Sequence, residues 1–597
     1  MLSILSQLNG ELAEWSKALP WKGSIPQKGI VGSNPMFSAI FFILLTSILI
    51  FTHWNILKSD PLLNYDDSYV VAPLEKINTI GDYVSSFKAN KVYDVQPVRD
   101  LSLWLDYKIQ NQTGLHVHHA TNLIVWIAIL FLFFKLMLFF EIPLIVNYAL
   151  VSLYAFHPAL TNALVWVTAR KHLLSTFFIL WASYIVVKKA NEVLCTYDVL
   201  SIVVLYLLSC FSQPINILWP LWILAFGFVA GWSISEILKD KKKLTLMTML
   251  TIVFVVVAII NQHYYASTFV EQSQNLKYVE TESNQLSFRL LLLGRSFWQA
   301  VVPYWSTPLY YYPGSVLNLF GIVLFSLGTW IVLRSKKSLY LSWGLFSLLP
   351  VMVVTINLTM VFGSDTYILN TVIGVYLCFA LVLKKHSRWF EKKTTKALFL
   401  LIFSSILVSF AFQANSVSSA WESDLAQTTR AVNVEPSPVA INFHIQNLLN
   451  SKNYTDALIY SEQLLGWDPN FKTLAQLYSS SIFHHPKINI ETKRRLLSEL
   501  LKTHPQSPWV KYFLASLYAF ENNFSDAADL MQTISLKDFW EFKSECSIIA
   551  AEFNFFLRKS GREMAKFEEK LEQIKSACKT HWNQSLYETR KRDLLAP

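Results

Sequence analysis

Apolar runs, each close to the length of a membrane-crossing helix, alternate with short basic stretches over residues 37–413. A charged region with a helical pattern follows over 414–597. A helix needs about 20 apolar residues to cross a bilayer. That rule marks eleven spans: 37–54, 119–140, 143–165, 172–190, 197–213, 214–235, 244–263, 314–333, 339–358, 366–383 and 397–413. A further apolar stretch, 286–304, carries Arg289 and Arg295. Charges there are costly at the bilayer centre, so it is expected as a re-entrant or interfacial helix inside a large external loop, 264–313.

With eleven spans, the basic clusters fall on one side. They are Lys188-Lys189, Lys239 with Lys241 to Lys243, Arg334 with Lys336-Lys337, and Lys384 through Lys396. Positive charge collects on the cytoplasmic face. The N-terminus is therefore expected inside, and the loop 55–118 and the whole C-terminal region outside. Composition agrees: 53% of residues are hydrophobic and only 15% charged, the balance of a lipid-embedded chain. The net charge of +10 is used up by the loop clusters, so no nucleic-acid partner is expected.

Residues 1–35 stand apart. Gly10 to Ala18 and Gly32-Ser33-Asn34-Pro35 read like a transfer-RNA gene translated as protein. Translation is expected to start at Met36, with a polar cytoplasmic tail as the alternative, and the segment is kept out of the fold. A neighbouring transfer-RNA gene points to a compact, bacterial-type genome, hence an inner membrane with a periplasmic C-terminal region.

In that region Asn453-Tyr454-Thr455-Asp456-Ala457-Leu458, followed by Asp468-Pro469, looks like the second helix and end of a tetratricopeptide repeat. Asn523 to Ala528 repeats the pattern, and a weaker middle unit ends near Pro505. The alanines Ala457 and Ala527 lie close to two 34-residue periods apart. Such an α-solenoid presents a surface suited to an extended peptide; a chance-similar helical bundle is the alternative. Cys546 and Cys578 would lie outside and could pair, while Cys195, Cys210 and Cys378 lie in or beside spans. No zinc spacing, phosphate-binding loop or dinucleotide fingerprint occurs.

The expected topology gathers the reactive side chains on the external face. Asp66 and Asp67 follow the first span, and Arg99 lies in the same loop. His118, His119 and Asn122 mark the outer end of the second span. His157-Pro158 lies in the outer half of the third, and Arg170-Lys171-His172 come just after it. Asp365 and Tyr367 precede the tenth. Polar groups at such a place usually mark a substrate site, and Arg-Lys on the external face suits a lipid phosphate.

The order Tyr65-Asp66-Asp67, Pro97, His119-x-x-Asn122, Phe156-His157-Pro158, Val165-Trp166 and Arg170-Lys171 resembles the TMTC-type proteins. These are transmembrane and tetratricopeptide-repeat glycosyltransferases of the GT-C class. The likeness runs from about residue 37 into the repeats and includes Leu349-Pro350 and Asp365-Thr366-Tyr367. It implies an enzyme that moves a sugar from a polyprenyl phosphate to protein hydroxyls; mannose is the sugar of characterised eukaryotic relatives. The chain departs from that pattern at Gln96, where Arg is usual, at Asn162 for Glu, Thr366 for Arg and His172 for Asp.

The expected chemistry is an inverting transfer. Asp66 or Asp67 accepts the proton of an attacking Ser or Thr hydroxyl. Arg99, Arg170 and Lys171 stabilise the departing phosphate, helped by His157 or by Arg289 or Arg295. Two acids suit Mg²⁺ or Mn²⁺, yet some GT-C families work without metal, so the cation stays open. Two other readings remain: a lipid-linked glycan transferase or ligase acting on envelope polysaccharide or lipid, and a non-catalytic membrane scaffold. Transport ranks lower, because the acids sit at the membrane edge and the spans show no internal repeat.

Overall fold

The computed structural model describes residues 35–59, 67, 70–71, 74, 77–83, 96–189, 192–220, 223, 232–273, 286–303, 319–323, 326–327, 368–434, 436–471, 473–535, 542, 545–561, 565–578 and 582–595. The expectations for 1–34, Asp66, 339–358, Asp365, Thr366 and Tyr367 lie outside these residues. Residues 1–48 and 49–597 form separate compact units. Helix α1 (Pro35–Thr52) begins in the first and ends in the second. The described residues are helical, and no strand occurs among them.

In the first half of the second unit, α2 (Pro97–Thr113) lies in the expected external loop. It leads to α3 (His118–Phe139), α4 (Leu144–Ala155), α5 (Pro158–Val165), α6 (Arg170–Lys188) and α7 (Thr196–Ser212). Next come the short α8 (Ile234–Lys239), α9 (Lys241–Ser273), α10 (Leu286–Val301), α11 (Leu369–Lys385) and α12 (Lys393–Ala420). α6 packs on α3 and α7, and α5 on α3, α6 and α12. Among the described residues three helices are long and apolar enough to cross a membrane: α3, the Lys241–Ile260 part of α9, and α12.

One expectation needs correction. The span 143–165 is not one straight helix: α4 and α5 are separate and bent 58° at the break, together long and apolar enough to count as a fourth span. Pro158 has no N–H to give and opens a new helix at its first position. The span expected to stop at 263 continues as helix to Ser273. The expected last span, 397–413, lies inside α12, which runs on to Ala420. The segment 214–235 begins as a 3₁₀ turn, Pro214–Leu218. The 286–304 stretch is helical as α10, and a Cβ on Gly321 would fall 1.9 Å from the Gly294 carbonyl, so backbones meet there without side chains between them.

Helix α12 has 28 residues, about 42 Å at 1.5 Å per residue, against a hydrocarbon core of roughly 30 Å. Most of its length exposes apolar residues such as Leu398, Leu401, Ile402 and Phe412. Its buried positions are Phe410, Ala414, Val417, Ser418 and Ala420, near its C-terminal end. The small side chains among them, Ala414, Ser418 and Ala420, permit the close approach of α5.

After Trp421 come α13 (Asp424–Val434), α14 (Pro438–Asn450), α15 (Tyr454–Trp467), α16 (Leu474–His484), α17 (Ile490–Thr503), α18 (Pro508–Phe520) and α19 (Phe524–Gln532). The pairs α14–α15, α16–α17 and α18–α19 pack as hairpins, starting at residues 438, 474 and 508, spacings of 36 and 34 residues. The turns of the first and third pairs match closely. Lys452 and Asn522 both have φ 61°, Asn453 and Asn523 cap the next helix through the N–H of Asp456 and Asp526, and Ala457 and Ala527 are fully buried. Three helices close the chain: α20 (Cys546–Lys559), α21 (Ala565–Cys578) and α22 (Gln584–Leu595). Cys546 and Cys578 form a disulfide between the start of α20 and the end of α21.

Candidate functional site

The bend at Phe156-His157 redirects the chain by 58°, and residues 166–169 turn it again into α6. All eight residues of α5 and the first seven of α6 are buried. A polar turn in such surroundings needs partners for its backbone. Asn122 of α3 supplies them: its amide donates to the carbonyls of Leu164 at 3.0 Å and Trp166 at 3.3 Å. On the other side Asn122 Oδ1 accepts from Arg170 Nε at 2.6 Å.

Arg170 is fully buried. Its guanidinium also donates to the His118 carbonyl at 2.7 Å and to Ser102 Oγ at 3.4 Å, and pairs with Asp106 Oδ2 at 2.6 Å. Asp106 takes a further bond from Thr121 at 2.8 Å, and His118 Nδ1 stands 3.4 Å away. Burial pushes the Asp106 carboxyl up, but His118, Arg170 and Thr121 outweigh it and hold the group below the ordinary carboxylate range. With its donors engaged this way, Arg170 holds the turn together.

Asp67 is brought to the same turn. Its Oδ1 accepts the Thr168 backbone N–H at 3.0 Å, and the residue is 2% exposed. Next to it Val167 is buried in a small core with Val71, Leu74, Ile77, Tyr83, Leu103 and Trp104. The described residues of the 55–118 segment are thus built onto the 166–169 turn, with Trp104 Nε1 donating to the Ile77 carbonyl at 3.0 Å and Tyr83 OH to that of Pro97 at 2.6 Å.

The other expected residues fall around this centre. Arg99 is buried and its Nε donates to Asp100 at 2.7 Å. His119 is buried one turn before Asn122, and Lys171 is buried at the head of α6. His157 sits at the bend, its ring 5.6 Å from Phe410 and 6.1 Å from Tyr376, so it packs among aromatic rings of α12 and α11. Arg295 is buried in α10, the helix that packs on α11, and Arg289 lies in the same helix. Two of the departing positions have partners. Gln96 donates to Gln213 Oε1 at 2.5 Å, and Asn162 Oδ1 accepts from Trp421 Nε1 at 3.0 Å.

Two participants were not foreseen. Asp106 was legible in principle, because Arg99, Leu103 and Asp106 follow a helical spacing and mark one inward face of α2. Trp421 was not, since 259 residues separate it from Asn162. Among the described residues no group of three His, Cys, Asp or Glu side chains could hold a metal ion. Asp67 is the one described member of the expected acid pair. No family model, curated protein or solved structure matches the chain.

Proposed function

We propose that the chain is a GT-C-type membrane glycosyltransferase that moves a sugar from a polyprenyl phosphate to Ser or Thr hydroxyls of a protein, on the extracytoplasmic side. One observation carries the reading. Three segments that supply the resemblance, at Asp67, at Asn122 and at 164–170, converge on a single buried turn although they span a hundred residues of sequence. A scaffold has no need to bring an acid to a turn that is itself pinned by a buried arginine and an asparagine. The finer architecture belongs to the same proposal: eleven spans, and tetratricopeptide-type hairpins that present the acceptor polypeptide. The hairpin spacings of 36 and 34 residues support the second.

The step is an in-line displacement. The acceptor oxygen forms a bond to the anomeric carbon, and the bond from that carbon to the phosphate oxygen breaks. The acceptor proton passes to the carboxylate of Asp67 or Asp66, and the lipid phosphate leaves with the negative charge. Arg99, Arg170 and Lys171 are the cations proposed to meet that charge.

A scaffold reading is favoured by one feature, the near-complete burial of Asp67. Labelled sugar supplied on polyprenyl phosphates to membranes separates the readings. Label should enter protein and fall by about 10²–10⁴-fold in Asp67→Asn or Asp66→Asn. Label entering lipid or polysaccharide instead favours the glycan ligase. No transfer, with wild type and variants alike, sinks the enzyme.

A further inference from the structure

Helix α12 ends where the candidate site begins. Trp421, the residue after it, is 1% exposed and stacks on Trp166 with ring centroids 5.5 Å apart and planes 27° apart. Its Nε1–H donates to the buried Asn162 Oδ1 at 3.0 Å. Asn162 in turn offers its backbone carbonyl to the Trp166 N–H at 3.1 Å, which ends α5. One side chain from the C-terminal half therefore touches both ends of the short stretch leading into the 166–169 turn. On its far side Trp421 is two residues from Ser423, the residue before α13, and α13 is tied to the first hairpin. Asn447 donates to the Asp424 carbonyl at 2.9 Å, and Thr428 and His444 lie 3.1 Å apart.

We infer that Trp421 is a positioning residue: it fixes the turn whose Thr168 N–H holds Asp67, so the site is completed only when the segment bearing the hairpins is docked. Its catalytic consequence rests on the transfer reading; the docking itself does not. Three of the turn's straps come from the membrane half, from Asn122, Arg170 and Asp67. Trp421 is the strap from the C-terminal half. Its two contacts differ in kind, since the indole ring face stacks while the indole N–H bonds. They can therefore be removed one at a time.

The test uses the full chain in lipid nanodiscs, comparing wild type, Trp421→Phe, Asn162→Leu and the double variant. Trp421→Phe keeps an aromatic ring for the stack but loses the donor and the volume of the second ring, whereas Asn162→Leu removes the acceptor and leaves the indole whole. Two quantities are read: amide hydrogen exchange over 164–172, and the split between kcat and donor KM in sugar transfer. The amides of Trp166, Thr168, Ala169 and Arg170 are all hydrogen-bonded, so exchange there reports on the turn.

Both single variants should speed that exchange at least tenfold, with the double no faster than the quicker single, while exchange over 438–532 stays as in wild type. In active protein kcat should fall about tenfold at constant donor KM. Exchange over 164–172 that stays at the wild-type rate overturns the inference, whatever happens to activity. Acceleration spread equally over the whole chain also overturns it, because that is general destabilisation. Faster local exchange in a protein that transfers no sugar upholds the strap and sinks the transfer reading.

Discussion

Asp106 is the residue on which the buried charge balance of the site turns. Arg170 has no solvent to fall back on, and its charge is answered by a carboxylate that also bonds Thr121. Removing one member of such a pair leaves an uncompensated buried charge, typically about 3–5 kcal/mol. Asp106→Asn, which preserves shape, should therefore lower the thermal midpoint far more than Glu572→Gln, whose carboxylate sits in an exposed ion pair with Lys575. Equal effects would show that the pair contributes little. The pH dependence has a definite sign. The Asp106 pKa is depressed in the folded protein, so its stabilisation is present above the ordinary carboxyl value of 3.8 and is lost as pH falls through the lower folded value. Asp106→Asn should flatten the acid limb of the stability curve in that range. The sequence revealed Arg170 as important but not its partner, because one acid among several charges of a mixed helix gives no hint of which distant cation it meets.

At the level of elements, what the sequence conveyed depended on how local the determinant is. The hairpin pattern was legible because it rests on short-range chemistry: an Asn whose side chain caps the helix, an Asp three residues on, and an Ala that must be small to be buried. The caps at Asn453 and Asn523 are structurally the same device. Asn453→Ala and Asn523→Ala should each cost about 1 kcal/mol, and the pair should add, since the two sites share no partner. Exchange rates measured separately over 454–467 and 524–532 would check this; a penalty in one hairpin only would show that the motif is coincidental there. The bend in the third expected span was missed for the opposite reason. The apolar run over 143–165 is continuous, and hydropathy carries no information on direction. His157-Pro158 was read for its chemistry when its first effect is on the backbone. The true extent of α12 was hidden likewise, as Ala414 to Ala420 is polar enough to resemble a linker yet small enough to pack.

For the whole molecule, the strongest constraint is the disulfide between Cys546 and Cys578, both fully buried. Closing a loop across 32 residues contributes roughly 3–4 kcal/mol by chain entropy. Such bonds persist in oxidising surroundings, consistent with the proposed extracytoplasmic C-terminal region. Alkylation of the denatured but unreduced protein, taken from its native membrane, should label Cys195, Cys210 and Cys378 alone; prior reduction should raise the count to all five cysteines. Five labels without reductant would place the C-terminal region in a reducing compartment and overturn the orientation. The overall division into an apolar half and a charged helical half was plain in the sequence, because it is a matter of composition. The joining of the halves was not, since it rests on a few contacts of long sequence separation.

The length of α12 has a consequence of its own. A rod about 42 Å long set in a hydrocarbon layer of roughly 30 Å accommodates a thinner or thicker bilayer by tilting. Rotation by ten degrees about its midpoint swings either end through about 4 Å, more than the length of a hydrogen bond. Trp421 stands at that end. Membrane thickness is thereby converted into sideways displacement at the indole. Lipid composition should set how tightly the turn is gripped, without any lipid touching it.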